Sequence, residues 1–134
     1  MYEKLTQYIE SIPGDEHGSW TDNSGNAGTK EDPIPFAHVR YSELTCRLKK
    51  DLFAFVEEHR EMELTNYGDI LRRNGIRRLT GCDAGGMDGQ CVMALLVAVF
   101  RSERFGEGQV LECLENGDIV RWLGRLKELD EDER

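Results

Sequence analysis

Cys82 is the residue of this chain that most resembles a catalytic nucleophile. It lies in the glycine-rich stretch 81–89, just before a strongly apolar segment, and Arg77 and Arg78 precede it. A helix N-terminus and nearby guanidinium groups lower the pKa of a thiol, and the thiolate is the reactive form. This arrangement predicts a thiol-dependent hydrolase or transferase that acts on an anionic substrate. A glycine-rich linker without chemistry explains the same residues, because no base is recognisable beside Cys82.

Arginines supply the other candidate binding groups. Arg101 and Arg104 follow the apolar segment, and paired guanidinium groups at such a turn can bind a carboxylate or a phosphate. The alternative is structural, since cations commonly bond the last carbonyl groups of a helix. Arg77 and Arg78 are the remaining anion-binding candidates. They belong to a basic cluster over residues 72–78, which is either a local nucleic-acid contact or a solvated face paired with carboxylates.

Composition limits these alternatives. The 134 residues carry 26 acidic and 17 basic side chains, which gives a formal net charge of -9. This charge repels nucleic-acid phosphates and anionic lipid on average, so nucleic acid is a disfavoured partner and a membrane is not expected to be one. No cationic segment leads into an apolar run after Met1, so we expect no signal peptide and a cytoplasmic location.

The cysteines do not predict a metal site. They are Cys46, Cys82, Cys91 and Cys113. No Cys-x-x-Cys pair occurs among them, and no histidine lies at ligand spacing. Without a secretion signal we expect the thiols to be reduced. The sequence therefore predicts no metal and no cofactor.

One buried helix is expected to position these groups. Residues 91–100 form an uninterrupted apolar run with charged residues beyond both ends. The run is too short to cross a bilayer, which takes about 20 residues, so it predicts a helix buried on all sides. Asp88 precedes the run and is suited to cap the helix, because its carboxylate can accept an unpaired backbone N–H of the first turn.

Amphipathic segments predict further helices around this one. They run over 2–12, from a cap at Ser42 beyond Val56, from Thr65 or Asn66 to the pair Asn74-Gly75, from Val110 to the pair Asn116-Gly117, and from a cap at Asp118 to Leu129. The predicted fold is therefore mainly α, a single-domain bundle of five to six helices around a buried central helix. The domain covers residues 1–129, and the acidic tail 130–134 is expected to fray.

A polar stretch over residues 15–33 interrupts the helical pattern. It is rich in Gly, Asn, Ser and Asp, and a structureless loop of this length is unusual in a compact domain. It is either a mobile loop or part of a small two-stranded hairpin. In the hairpin, Trp20 lies in one strand, the segment 34–41 supplies the other, and the turn falls at 23–26.

Short motifs in a fixed order resemble a known family. They are Arg-Phe-Gly-Glu-Gly at 104–108, Asn-Gly-Asp-Ile at 116–119 and Leu-Gly-Arg-Leu-Lys at 123–127. This order is similar to the C-terminal half of a family of small bacterial proteins with no assigned function. The segment 36–42 resembles that family's entry to its second helix. The resemblance covers about half of the chain; it implies a helical fold and brings no catalytic residue.

These observations favour a non-enzymatic helical module that acts through protein contacts, with a partner protein or as a homodimer. Amphipathic helices supply the contact surfaces, and the acidic surface suits a basic partner. Two alternatives stay open. One is the thiol-dependent enzyme that uses Cys82, and the other is local nucleic-acid binding through residues 72–78.

Overall fold

The central helix α4, Gly89–Ser102, is the element around which the chain packs. The structure is a computed structural model that describes residues 1–21, 38–103 and 108–132. Every residue from 91 to 100 is buried, as the apolar run predicts. The Asp88 carboxylate accepts a hydrogen bond from the backbone N–H of Cys91 at 2.8 Å, which confirms the predicted N-cap.

Helices on several sides cover α4. α2 (Glu43–Glu58), α3 (Tyr67–Arg73), α5 (Gln109–Glu115) and α6 (Asp118–Asp132) each contact it, whereas α1 (Glu3–Thr6) packs against α2 and α6. The predicted mainly helical bundle around a buried helix is confirmed. Within the described residues, no helix has both the length and the apolar character that a membrane span requires.

A two-stranded antiparallel hairpin lies between α1 and α2. Its strands are β1 (Gly18–Thr21) and β2 (His38–Tyr41), and Gly18 is opposite Tyr41 in the register. These strands confirm the hairpin alternative for this part of the chain. The turn expected at 23–26 lies outside the described residues.

The first helix is shorter than its apolar spacing predicts. α1 ends at Thr6, because the backbone N–H groups of Tyr8, Ile9 and Ser11 donate to carbonyl groups three residues back rather than four. The chain therefore continues in tighter turns, which end in a 3-10 turn at Ile12–Gly14.

The last helix is longer than predicted. α6 continues to Asp132, beyond the expected helical end at residue 129. The Asp130 carboxylate accepts a hydrogen bond from the backbone N–H of Tyr2 at 2.8 Å and lies 3.2 Å from the Met1 ammonium group. These contacts join the start of the chain to α6 at Asp130, a partner that the local sequence does not reveal.

Candidate functional site

Two adjoining cavities lie on the side of α4 that faces α2 and α3. Each has a volume of about 330 Å³, and Tyr67 and Arg101 line both of them. Phe53 is a further lining residue of the first cavity, and Arg77 and Leu79 are lining residues of the second. We call the two cavities together the α3–α4 groove.

Arg101 is held in the groove by an aromatic ring. Its guanidinium carbon lies 4.7 Å from the centroid of Phe53, within the distance of a cation–π interaction. None of the carboxylates in the described part of the chain forms an ion pair with it, and it makes no hydrogen bond to the last carbonyl groups of α4 there. Among the described residues, the charge of Arg101 is therefore uncompensated, and its side chain is stacked and half-buried.

Arg77 brings a second cation to the same groove. The chain turns at the end of α3, where Gly75 adopts a φ of +72° and confirms the predicted Asn-Gly end of that helix. Arg77 is exposed and lines the second cavity together with Arg101. Two of the four predicted anion-binding arginines thus share a cavity. Arg78 is not among the lining residues, and Arg104 lies outside the described residues.

The charge of the groove is opposite to that of the whole chain. Of the described residues that line its two cavities, Arg77 and Arg101 are the charged ones, and no carboxylate joins them. The adjoining cavity on the far side of Thr65 differs, because Glu57 and Glu63 are among its lining residues. A local positive potential is therefore expected in the groove of a protein whose net charge is -9.

Phe53 is the groove residue that the sequence analysis missed. The apolar stripe of α2 that packs on the core consists of Leu48, Leu52, Phe55 and Val56, and Phe53 falls outside it. The sequence did contain a signal for Phe53. The outward face of a helix normally carries polar residues, so an aromatic residue beside the apolar stripe indicates a further contact surface.

Within the described residues, the contacts of Cys82 do not activate its thiol. Its thiol donates to the carbonyl oxygen of Arg78 at 3.3 Å, and its own carbonyl accepts a hydrogen bond from Trp122 Nε1 at 2.9 Å. Burial and the neighbouring Asp83 raise the pKa of the Cys82 thiol. The direction is opposite to the one that a reactive thiolate requires, because Arg78 contributes its carbonyl group here and no charge.

The described histidine contacts are structural. His17 Nε2 lies 2.6 Å from the carbonyl oxygen of Ile12, and His59 Nδ1 lies 3.1 Å from a carboxylate oxygen of Glu61. In residues 1–21, 38–103 and 108–132, no group of three His, Cys, Asp or Glu side chains is arranged to hold a metal ion.

Asp118 is a buried acid with a role that the sequence does not predict. The expectation that it caps α6 is wrong: it is the first residue of the helix, and the Asn116 side chain accepts its backbone N–H at 2.9 Å. The Asp118 carboxylate pairs with Arg121 and accepts the backbone N–H of Gly81 at 2.9 Å. Asp118 therefore fixes the glycine-rich connection to α6.

Comparisons with known proteins give the chain a family and no activity. No curated protein and no solved structure matches it. A family model described as "Family of unknown function (DUF6508)" matches residues 3–132, a span that includes the α3–α4 groove and Asp118. Because this match covers nearly the whole sequence, the chain belongs to the family DUF6508, in agreement with the resemblance to a family without an assigned function.

Proposed function

We propose that the protein is a non-enzymatic interaction module that binds a segment of a partner protein in the α3–α4 groove. One observation carries the proposal: aromatic side chains and uncompensated arginines line the same concave surface. Tyr and Arg are enriched among the residues that dominate the binding energy of protein interfaces. Tyr67 and Arg101 line both cavities and are therefore the expected centre of the interface.

The apolar residues of the groove keep surface available for a partner. Phe53, Tyr67, Ile76 and Leu79 pack against the core but remain partly exposed. Removing apolar surface from water contributes roughly 25 cal/mol per Å², so an entering apolar side chain gains affinity at each of these residues. Burial by a partner would complete the packing that the fold leaves open.

The second candidate function is binding of a small anion between Arg77 and Arg101. The two arginines line one cavity of about 330 Å³, which is at the lower end of the volumes of ligand pockets, about 300–1,000 Å³. Guanidinium groups hold carboxylates and phosphates well. A small anion would leave the adjoining cavity at Phe53 empty, so the geometry favours a longer ligand that occupies both.

The thiol-dependent enzyme has less support. The Cys82 thiol donates to a backbone carbonyl, and burial raises its pKa, so neither contact nor charge prepares it for attack. Cys82 is also not among the residues that line the groove. The nucleic-acid alternative through residues 72–78 shares Arg77 with the groove and is tested with it below.

A peptide-display selection tests the interaction. Random peptides of about 16 residues, long enough for about four helical turns, are selected against the full chain and sequenced. We expect convergent sequences whose binding weakens at least tenfold in Tyr67→Ala. Tyr8→Ala is the matched control, because Tyr8 is also partly buried and lies outside the groove. Absence of convergent sequences, or equal loss in both variants, would contradict the proposal.

A further inference from the structure

We infer that the segment bound in the α3–α4 groove is an acidic, amphipathic helix whose carboxylates pair with Arg77 and Arg101. The inference rests on the proposed function and adds the chemistry of the partner. It depends on three features of the described residues: the positive charge of the groove, the negative charge beside it, and the two adjoining cavities, each lined by aromatic or aliphatic side chains together with arginine.

The positive charge of the groove favours a partner segment that carries carboxylates. Arg77 and Arg101 line the second cavity together, and neither has an ion-pair partner in the described residues. Among nearby arginines the contrast is Arg72, which lies 3.4 Å from the Asp69 carboxylate. Charge complementarity across an interface determines which partners are accepted, because like charges brought together are costly. Acidic residues on the partner would supply the missing counter-charges.

The charge of the surface changes from positive to negative beside the groove, and this predicts the orientation in which the partner binds. The neighbouring cavity shares Thr65 with the groove, and its charged lining residues are Glu57, Arg60 and Glu63. Arg60 is already paired with Glu57 at 2.8 Å, so Glu63 leaves this end of the surface negative. We therefore expect the acidic residues of the partner at the Arg77 end and neutral or basic residues over Glu63.

The two adjoining cavities fit the anchors of a helix. Residues three or four apart on a helix lie about 5–6 Å from each other on one face, so two such apolar residues can enter neighbouring cavities. Grooves between helices commonly bind amphipathic helices in this way. Carboxylates on the same partner helix would then lie beside its anchors, next to Arg101, which lines both cavities.

Single-stranded nucleic acid is the competing occupant. Tyr67 offers a ring for base stacking, and the arginines offer cations for phosphates. The net charge of -9 and the adjacent Glu63 oppose a polyanion that extends beyond the groove. A short acidic helix avoids this repulsion because its charges can be confined to one end.

Two synthetic peptides test the inference. Both are about 16 residues long with Leu and Phe at helical spacing, and they differ only in carrying Glu or Lys at the polar positions of one end. Binding to the full chain is measured by fluorescence anisotropy in about 0.15 M salt. We expect the Glu peptide to bind at least tenfold more tightly than the Lys peptide, and Arg77→Glu and Arg101→Glu each to abolish that preference, because either change brings the charge of the groove from +2 to zero.

Arg78→Glu is the matched control. Arg78 is the exposed neighbour of Arg77 and does not line the groove, so its reversal changes the net charge equally without changing the cavity. We expect it to retain the preference for the Glu peptide. Circular dichroism verifies folding, and Arg77→Glu remains decisive even where Arg101→Glu disturbs the Phe53 contact.

Three results would overturn the inference. They are equal affinity for both peptides, an equal effect of Arg78→Glu and Arg77→Glu, and displacement of the Glu peptide by oligothymidylate at lower concentration than by unlabelled peptide. Peptides from the display selection show whether only this inference fails or the proposed function fails with it. If they lose affinity in Tyr67→Ala but keep it in both arginine variants, the groove is an interaction site and its partner is not acidic.

Discussion

Gly89→Ala is predicted to destabilise the protein, although alanine is the better helix former. Gly89 is the first residue of α4, and a Cβ there would overlap the hydroxyl group of Tyr2 and lie 2.9 Å from its Cζ atom. Tyr2 is 6% exposed, and its ring stacks on Phe55 with the centroids 5.4 Å apart. Because the overlap is with the rigid phenol group of a buried side chain, the added methyl group must displace the tyrosine ring.

The displaced ring determines the size of the effect. Burial of an aromatic side chain contributes about 1.5–3 kcal/mol, and an aromatic pair adds about 0.5–1.5 kcal/mol. Replacing glycine by alanine within a helix returns up to about 1 kcal/mol. We therefore expect the free energy of unfolding of Gly89→Ala to fall by about 2 kcal/mol, with a decrease in Tm of about 5–10 °C.

Urea unfolding followed by circular dichroism measures this change, and Gly124→Ala is its matched control. Gly124 lies in α6 with no atom within 4 Å of its added Cβ, so alanine there should stabilise the protein by up to about 1 kcal/mol. In a Tyr2→Ala background the penalty of Gly89→Ala should disappear. A penalty that persists in that background, or equal effects at both glycines, would refute the steric argument.

The remaining predictions concern three carboxylate and thiol groups. Asp118→Ala should lower the free energy of unfolding by about 1.5–3 kcal/mol, since it removes a hydrogen bond between a charged carboxylate and the backbone of the glycine-rich connection; an unchanged urea midpoint would contradict this. Partial burial works against ionisation of Asp15, but hydrogen bonds from the Ser42 hydroxyl and from backbone N–H groups lower its pKa overall. Its contribution to stability is therefore present above the ordinary value of 3.8 and lost as the pH falls below it, so Asp15→Asn should flatten the acid limb of a stability curve. Cys82 should react with iodoacetamide more slowly than the exposed Cys46, and mass spectrometry showing the reverse order would restore the thiol-enzyme hypothesis.

Local signals in the sequence predict the helical framework well. The apolar run 91–100 and the cap at Asp88 identify α4, because both signals come from residues that are adjacent in the chain. The glycines that end α3 and α5 are predicted for the same reason: Gly75 and Gly117 have φ values of +72° and +87°. Such features need no knowledge of the tertiary fold.

Contacts between distant segments explain what the sequence does not predict. The sequence around Asp118 predicts a helix cap, but the Asp118 carboxylate binds the backbone N–H of Gly81, 37 residues earlier. Glu103 likewise accepts hydrogen bonds from the Tyr41 hydroxyl at 2.8 Å and from the backbone N–H of Val110 at 3.0 Å. The first of these contacts depends on how the hairpin packs beside α4, which no local pattern reports.

The charge expected of the proposed partner shows the same limit, because the net charge of the sequence does not predict it. A net charge of -9 predicts a basic partner, because the sum over all side chains is negative. At physiological ionic strength, however, exposed charges separated by more than about 8 Å are largely screened from each other. The potential in the α3–α4 groove is then governed by Arg77 and Arg101, which line it, rather than by carboxylates elsewhere on the surface. Net charge is therefore expected to control the long-range approach of the proposed partner, whereas the packing of α3 beside α4 determines which charge the groove would accept at contact.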